Sequence, residues 1–290
     1  MSTRLLICTD LDRTLIPNGP QAESPLARER FAALVAHDGI HLAYVSGRHR
    51  KLVEQAIAEY RLPVPDFVIG DVGTTIYRVG SGHLWRRDEA WEMEISADWA
   101  GKGHAGLAGL LANVPGLQLQ EAEKQNDCKL SYYVPLQADT GKLAGLIEAR
   151  LREAGTSCRI IWSVDEAAGL GLLDILPQRA SKYHAIAALI RKDGFDVQHT
   201  VFCGDSGNDI EVLVSPVPSV LVANASDEVR AQAIREASEA GQMDRLYTAH
   251  GGLMGMNGNY AGGMLEGIAH YHPEAVAWMQ LQASQEGPDA

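Results

Sequence analysis

The 290-residue sequence predicts an α/β protein, with a parallel core sheet and a smaller α+β unit inserted into it. Three observations lead to this prediction. Short apolar runs alternate with segments of helical periodicity, which is typical of βαβ units. The alternation changes near Gly73 and resumes near Leu170, which indicates an insertion. Acidic residues directly follow two of the apolar runs, where a parallel sheet presents the carboxyl ends of its strands.

The first half of the core contains three apolar runs that are short enough to be buried parallel strands: Leu5–Thr9, Ile40–Val45 and Phe67–Gly70. A helix is expected from Ser24 to His37, because Ser24 and Pro25 suit an N-cap and a first helical position. A second helix is expected around 52–57, where apolar residues share one face. These elements predict the first βαβ units of the sheet.

The second half of the core is predicted from three further apolar runs, at 170–176, 200–203 and 219–222. Ser181-Lys182 and Ser226-Asp227 are expected to begin helices. Between the two halves, helix and strand patterns follow one another in an order that suits a small α+β unit. We therefore expect a Rossmann-like core over residues 1–87 and 167–290, and an inserted domain over 88–166.

Composition limits the classes of partner. The net charge of −12 argues against nucleic acid, and no apolar run approaches the ~20 residues of a membrane helix. The sequence passes from Met1 directly into the first strand, so we expect no signal peptide. The four cysteines lack C-x-x-C spacing and are expected to be reduced, in a cytoplasmic protein. An acidic protein that binds an anion needs local compensation, which a divalent cation and a lysine would supply.

Four features are expected at one edge of the sheet: the pair Asp10 and Asp12, the turn Ser46-Gly47, Lys182 at a helix start, and the Gly-rich segment 204–209. Each has a simple structural explanation when taken alone, as a turn, a solvated helix start or a structural cation loop. Together they place carboxylates, an anion site and a positive charge after buried strands. Carboxylate oxygens are the ligands that Mg²⁺ prefers, so a magnesium site is expected here.

These four features resemble the motifs of the haloacid dehalogenase superfamily of aspartate-nucleophile phosphohydrolases. The interval between Ser46 and Lys182, 182 − 46 = 136 residues, is where its sugar-phosphatase branch carries an α/β cap domain, so 88–166 is expected to be that cap. Within the superfamily, the segments 173–182, 203–210 and 261–270 resemble the sucrose-phosphate phosphatases most closely.

The resemblance implies roles for individual residues. Asp10 would be the nucleophile and Asp12 the general acid and base. The implied Mg²⁺ ligands and their support are the acids of the motifs: Asp10, the main-chain carbonyl of Asp12, Asp205 and Asp209. The implied phosphate contacts are the remaining motif residues: Ser46, Gly47, Lys182 and Asn208. In the cap, Lys129 and Ser131 are expected to contact the sugar.

The expected substrate is sucrose 6-phosphate. Another disaccharide phosphate, such as mannosylfructose phosphate, and a broad range of sugar phosphates are the alternatives. The chain departs from the sucrose-phosphatase pattern at Arg13, Ser46, Thr75 and Tyr260, and the last two leave the sugar open. Outside this enzyme class, the alternatives are a phosphoacceptor receiver module and a catalytically silent partner of a sugar-phosphate synthase. Association of an active enzyme with such a synthase is a further alternative.

Overall fold

The computed structural model describes residues 4–80, 82, 84–165 and 169–281. Its strands are, in chain order, β1 (Leu5–Thr9), β2 (Ile40–Val45), β3 (Phe67–Gly70), β4 (Thr75–Gly80), β5 (Leu84–Arg87), β6 (Gln118–Leu119), β7 (Leu130–Val134), β8 (Cys158–Asp165), β9 (Leu170–Pro177), β10 (Thr200–Gly204), β11 (Ser219–Leu221) and β12 (Leu246–Thr248). Its α-helices are α1 (Ala27–Val35), α2 (Arg50–Tyr60), α3 (Glu89–Ser96), α4 (Gly103–Leu111), α5 (Thr140–Glu153), α6 (Lys182–Asp193), α7 (Ile210–Leu213), α8 (Asp227–Glu239) and α9 (Tyr260–Tyr271). None of the helices in these ranges combines the length and apolar character needed to cross a membrane.

The core is an eight-stranded sheet with the order β12-β11-β10-β1-β2-β3-β4-β5. The strands from β12 to β3 are parallel, and the hairpin β4–β5 adds two antiparallel strands at one side. This parallel-dominated sheet confirms the predicted α/β class. Because β1 lies between β2 and β10, the carboxyl ends of these three strands lie side by side.

Apolar side chains of β1 pack on both faces of the sheet, as expected for a parallel strand covered by helices. Leu5 and Ile7 join a cluster that includes Met264 of α9, whereas Leu6 and Cys8 join a separate cluster that includes residues of α6. All five side chains of β1 are buried. The strand that precedes Asp10 is therefore held rigidly between two apolar layers.

The inserted unit contains a four-stranded antiparallel sheet with the order β6-β7-β9-β8. Leu107 of α4 and Ile147 of α5 pack with its strands in a core of their own. The expectation that the run 170–176 belongs to the core sheet is wrong. This run forms β9, which pairs with β7 and β8 of the second sheet. An apolar run predicts a strand but does not identify its neighbours. The second sheet thus extends beyond residue 166, and the predicted junction 166/167 lies outside the described residues.

Helix starts agree only in part with the sequence. Ser181 caps α6, and its Oγ accepts a hydrogen bond from the His184 N–H at 3.2 Å, as expected. Ser24 does not cap α1, which begins at Ala27 after Leu26 in the left-handed region (φ 62°). The Oγ of Ser24 instead donates to Oδ1 of Asn257 at 2.8 Å and accepts from its N–H at 2.8 Å. A contact between distant segments thus replaces the local cap.

Candidate active site

The ends of neighbouring parallel strands position the predicted motif residues. Thr9, the last residue of β1, lies opposite Tyr44 of β2 and Cys203 of β10 in the sheet register. Asp10, Ser46 and Asp205 follow these strands and therefore emerge at the same edge. Lys182, the first residue of α6, reaches this edge from the helix layer. The structure thus brings together residues that are up to 195 positions apart, counted from 205 − 10.

Lys182 is the centre of the cluster. Its Nζ lies 3.1 Å from Oδ1 of Asp10 and 2.7 Å from Oδ1 of Asp209, and it donates to Oδ1 of Asn208 at 2.9 Å. The side chains of Lys182, Asp10 and Asp209 are all buried. A buried lysine is costly without partners, and here two carboxylates and an amide supply them.

Burial and the neighbouring charges alter the pKa values of these groups. Burial raises the pKa of Asp10 to about 7; Lys182 opposes the rise, whereas Asp209 and Asp205 add to it. Burial alone would lower the pKa of Lys182, but Asp10 and Asp209 raise it above its ordinary range. Burial, together with Asp209, raises the pKa of Asp205 to about 6, against the effect of Arg13. The lysine is therefore charged at neutral pH, and the carboxylates need a cation to be fully ionised.

Asp209 organises the loop after β10. Its Oδ2 accepts hydrogen bonds from the N–H groups of Asp205 and Ser206, each at 3.1 Å, while its Oδ1 faces Lys182. Gly204 makes this possible, because a Cβ at that position would lie 2.6 Å from Oδ2 of Asp209. Both oxygens of Asp209 thus have protein donors, and its role in this geometry is to hold Lys182 and the loop.

The acids can provide a site for a divalent cation. One carboxylate oxygen from each of Asp10, Asp205 and Asp209 lies within 4.8 Å of the others. Hard oxygen donors of this kind suit Mg²⁺, which usually retains several waters and takes one or two carboxylates. The residues therefore fit a magnesium ion, and Asp10 and Asp205 are the carboxylates that would bind it. The side chain of Asp12 is not a member of this group.

Asp12 is engaged by a side chain whose role the sequence did not predict. Arg48 donates from Nε to Oδ2 of Asp12 at 2.8 Å and from Nη2 to Oδ1 at 2.6 Å, and Asn18 donates to Oδ1 at 2.7 Å. Burial opposes ionisation, but these hydrogen bonds and the Arg48 charge together lower the pKa of Asp12. Arg48 completes the triplet Ser46-Gly47-Arg48, and its place after a strand at this edge was the signal available in the sequence.

The predicted phosphate contacts lie around the cluster in different states of exposure. Ser46 is buried, and its Oγ accepts a hydrogen bond from the Arg48 N–H at 3.2 Å. Gly47 follows it after the end of β2, and Asn208 is exposed, with its Oδ1 accepting hydrogen bonds from Lys182 and from Ser206 Oγ. A cavity of about 660 Å³ lies between Lys182 and Asn208 and the second sheet, where Trp162 lines it.

Of the predicted sugar contacts, Ser131 lies on β7 of the second sheet and Lys129 directly precedes that strand. Lys129 Nζ lies 3.9 Å from Oδ1 of Asp71 and 3.9 Å from Oδ2 of Asp174. Ser131 is fully buried, and its Oγ donates to Oδ1 of Asp174. In this geometry Ser131 positions Asp174 and offers no free hydroxyl group. Asp71 follows β3 at the site edge, so the strand-end argument could have found it.

A second cavity of about 640 Å³ adjoins Asp71. Core residues Thr75 and Arg87 line it on one side, and Gln125 and Asn126 of the inserted unit line it on the other. The first cavity borders the cluster through Lys182, whereas the second adjoins Asp71. Polar and charged side chains form most of the lining of the second cavity, which suits a hydroxyl-rich ligand.

Comparison with known proteins agrees with the motifs. The family model described as sucrose-6F-phosphate phosphohydrolase matches residues 3–272. A HAD-like hydrolase of Nitrosococcus oceani is 54% identical over 97% of this chain and 75% of its own length. Sucrose-phosphatase 1 of Nicotiana tabacum is 34% identical over 79% of this chain, which spans 52% of that protein. Mannosylfructose-phosphate phosphatase of Agrobacterium fabrum is 30% identical over 92% of this chain and 96% of its own length.

A solved structure gives the same result. The sucrose-phosphatase of Synechocystis sp. PCC6803, determined with sucrose and phosphate, has a TM-score of 0.68 and 26% identity, covering 93% of this chain and 98% of that one. The resemblance inferred from the four motifs is thereby confirmed, as is the fold class. The chain belongs to the sucrose-6F-phosphate phosphohydrolase family, within the haloacid dehalogenase superfamily of phosphohydrolases.

Proposed function

We propose that the chain is a Mg²⁺-dependent phosphatase of sugar phosphates and that sucrose 6-phosphate is its preferred substrate. The observation that carries this proposal is the buried cluster in which Asp10 contacts Lys182 beside Asp205. Hydrolysis of a phosphate monoester needs a nucleophile, compensation of the phosphoryl charge and an acid for the leaving alcohol. The cluster, with Asp12 beside it, has residues suited to all three needs.

In the proposed reaction Asp10 attacks phosphorus while the bond from phosphorus to the sugar oxygen breaks. The resulting aspartyl-phosphate is then hydrolysed by water, which returns Asp10 and releases phosphate. Lys182, Ser46 and the Gly47 N–H hold the phosphoryl oxygens, with Asn208 at the rim. Mg²⁺, held by Asp10, Asp205 and the main-chain carbonyl of Asp12, would reduce the repulsion between nucleophile and phosphate.

Asp12 protonates the departing sugar oxygen and later accepts a proton from the attacking water. Its ion pair with Arg48 keeps it ionised in the free protein. Protonation of Asp12 therefore has to accompany substrate binding, when a phosphate dianion nearby disfavours a second negative charge. Withdrawal of Arg48 from Asp12 would also favour the protonation of Asp12.

The choice of sucrose rests on the family and on the sucrose-phosphatases among its relatives. The mannosylfructose-phosphate phosphatase supports the second candidate, because it matches this chain over nearly the full length of both. Lys129 and the cavity lined by Thr75, Gln125 and Asn126 are proposed to contact the sugar. Association with a sugar-phosphate synthase is part of the same proposal and is testable by co-purification.

The test is phosphate release by the purified protein from sucrose 6-phosphate, mannosylfructose phosphate, trehalose 6-phosphate, fructose 6-phosphate and glucose 6-phosphate, each with Mg²⁺ and with excess EDTA. We expect Mg²⁺-dependent release that strongly favours sucrose 6-phosphate. The Asp10→Asn variant is the control and should be folded and inactive. Release spread over several sugars would overturn the specificity but keep the chemistry. A folded wild-type protein that releases phosphate from none of them would overturn the enzyme proposal in favour of a silent partner.

A further inference from the structure

Arg13 lies beside Asp205, a member of the proposed metal site, and no role was expected for it from the sequence. Its Nε lies 3.4 Å from Oδ2 of Asp205, whose side chain is only 4% exposed. The other oxygen of Asp205, Oδ1, accepts a hydrogen bond from Thr14 Oγ1 at 3.2 Å. The guanidinium group therefore faces the oxygen that Thr14 leaves free, and that oxygen belongs to a member of the metal-binding group.

The backbone of Arg13 is held on both sides. It has φ 58°, in the left-handed region that is uncommon for residues other than glycine. Its N–H donates to Oδ1 of Asn18 at 2.8 Å, and its carbonyl accepts from Nδ2 of Asn224 at 2.7 Å. Asn224 is buried and also accepts from the Tyr260 N–H at 2.8 Å. These contacts fix the point from which the Arg13 side chain reaches Asp205.

We propose that Arg13 is a resident cation that shares Asp205 with the divalent metal and thereby weakens metal binding. This inference rests on the proposed Mg²⁺ site. A guanidinium group and a metal ion compete for the charge of one carboxylate and repel each other. The Arg13 side chain is 44% exposed, so water screens the effect and keeps it modest. In the metal-free protein the same contact offsets the repulsion between Asp205 and Asp209.

The test is the affinity for Mg²⁺ of the full chain, measured by isothermal titration calorimetry at pH 8. Arg13→Asn removes the charge, and asparagine tolerates the left-handed backbone. Its Kd for Mg²⁺ should fall about 2- to 5-fold relative to wild type, given the size of exposed charge pairs. The rise in Tm on adding Mg²⁺ to protein in EDTA should also be larger. Arg13→Lys retains the charge and should bind Mg²⁺ less tightly than Arg13→Asn.

Arg61→Asn is the matched control. Arg61 is exposed, has φ 54°, and follows α2, whose length of about 16 Å separates it from the site edge. It should leave the affinity unchanged. Equal or weaker Mg²⁺ binding by Arg13→Asn would overturn the inference. A wild-type protein that binds no Mg²⁺ would overturn the proposed metal site together with it. Circular dichroism checks folding, and Arg13→Gln provides the same test if Arg13→Asn does not fold.

Discussion

Asp209→Asn is the substitution that distinguishes a metal ligand from a residue that holds Lys182 and the loop after β10. A metal ligand would matter mainly when the metal is bound. A residue that holds Lys182 and the loop after β10 would matter for folding even in EDTA. The hydrogen bonds favour the second role, because both oxygens of Asp209 already have protein donors.

The expected fall in the free energy of unfolding follows from these contacts. An asparagine can still accept from Lys182 through its carbonyl oxygen, but its amide group then faces the N–H groups of Asp205 and Ser206. Each N–H that loses its acceptor costs about 1–3 kcal/mol when buried. Lys182 also loses one of its two carboxylates, and breaking a buried ion pair costs about 3–5 kcal/mol. Because these costs overlap, we expect the free energy of unfolding to fall by about 3–5 kcal/mol.

The assay is denaturant unfolding in excess EDTA, followed by circular dichroism. The control is Asp244→Asn, at a 71% exposed side chain 3.3 Å from Arg245, which should change the free energy of unfolding by less than about 0.5 kcal/mol. A loss below about 1 kcal/mol for Asp209→Asn, combined with much weaker Mg²⁺ binding, would refute the positioning role and identify Asp209 as a ligand.

Three further predictions concern the acid, the sugar contact and pH. Asp12→Ala should reduce kcat on sugar phosphates strongly and on nitrophenyl phosphate least, because that leaving group needs little protonation; equal loss on all substrates would contradict the acid role. Lys129→Met should raise KM for the preferred sugar phosphate about tenfold, the loss of one charged hydrogen bond, with little change for nitrophenyl phosphate; equal effects on both would contradict a sugar contact. In EDTA, the pKa of Asp10 is raised to about 7 and that of Asp205 to about 6, against an ordinary 3.8. The folded state therefore binds more protons than the unfolded state between pH 4 and 7. Tm should therefore fall as pH rises through this window, and Asp10→Asn should flatten the change; the same slope in that variant would contradict the assignment.

The core strands were predictable because apolar runs such as β1 identify buried parallel strands without knowledge of their neighbours. The run that became β9 had the same appearance, yet it pairs with β7 and β8. Which sheet a strand joins depends on contacts with segments far away in sequence. Ser24 does not cap α1 for a similar reason. Its hydroxyl group hydrogen-bonds to both the side chain and the main-chain N–H of Asn257.

The site was predictable where position along a strand decides it. Asp10, Ser46 and Asp205 follow neighbouring strands, so topology alone brings them together. The long cationic side chains were not predictable in this way, because an arginine can reach in many directions from one backbone position. The partners of Arg48 and Arg13 are fixed by tertiary contacts, and only the structure identifies Asp12 and Asp205 as those partners.

The net charge of −12 led to the expectation that a divalent cation and a lysine would supply the local positive charge needed to bind an anion. The structure distributes that compensation differently. Lys182 contacts Asp10 and Asp209, Arg13 contacts Asp205, and Arg48 contacts Asp12. Each acid thus contacts a protein cation, although Lys182 is shared between Asp10 and Asp209 and the pKa values of Asp10 and Asp205 stay raised. A metal at this edge would then serve the incoming phosphate. The protein cations are already paired with carboxylates and do not balance the two negative charges of that phosphate.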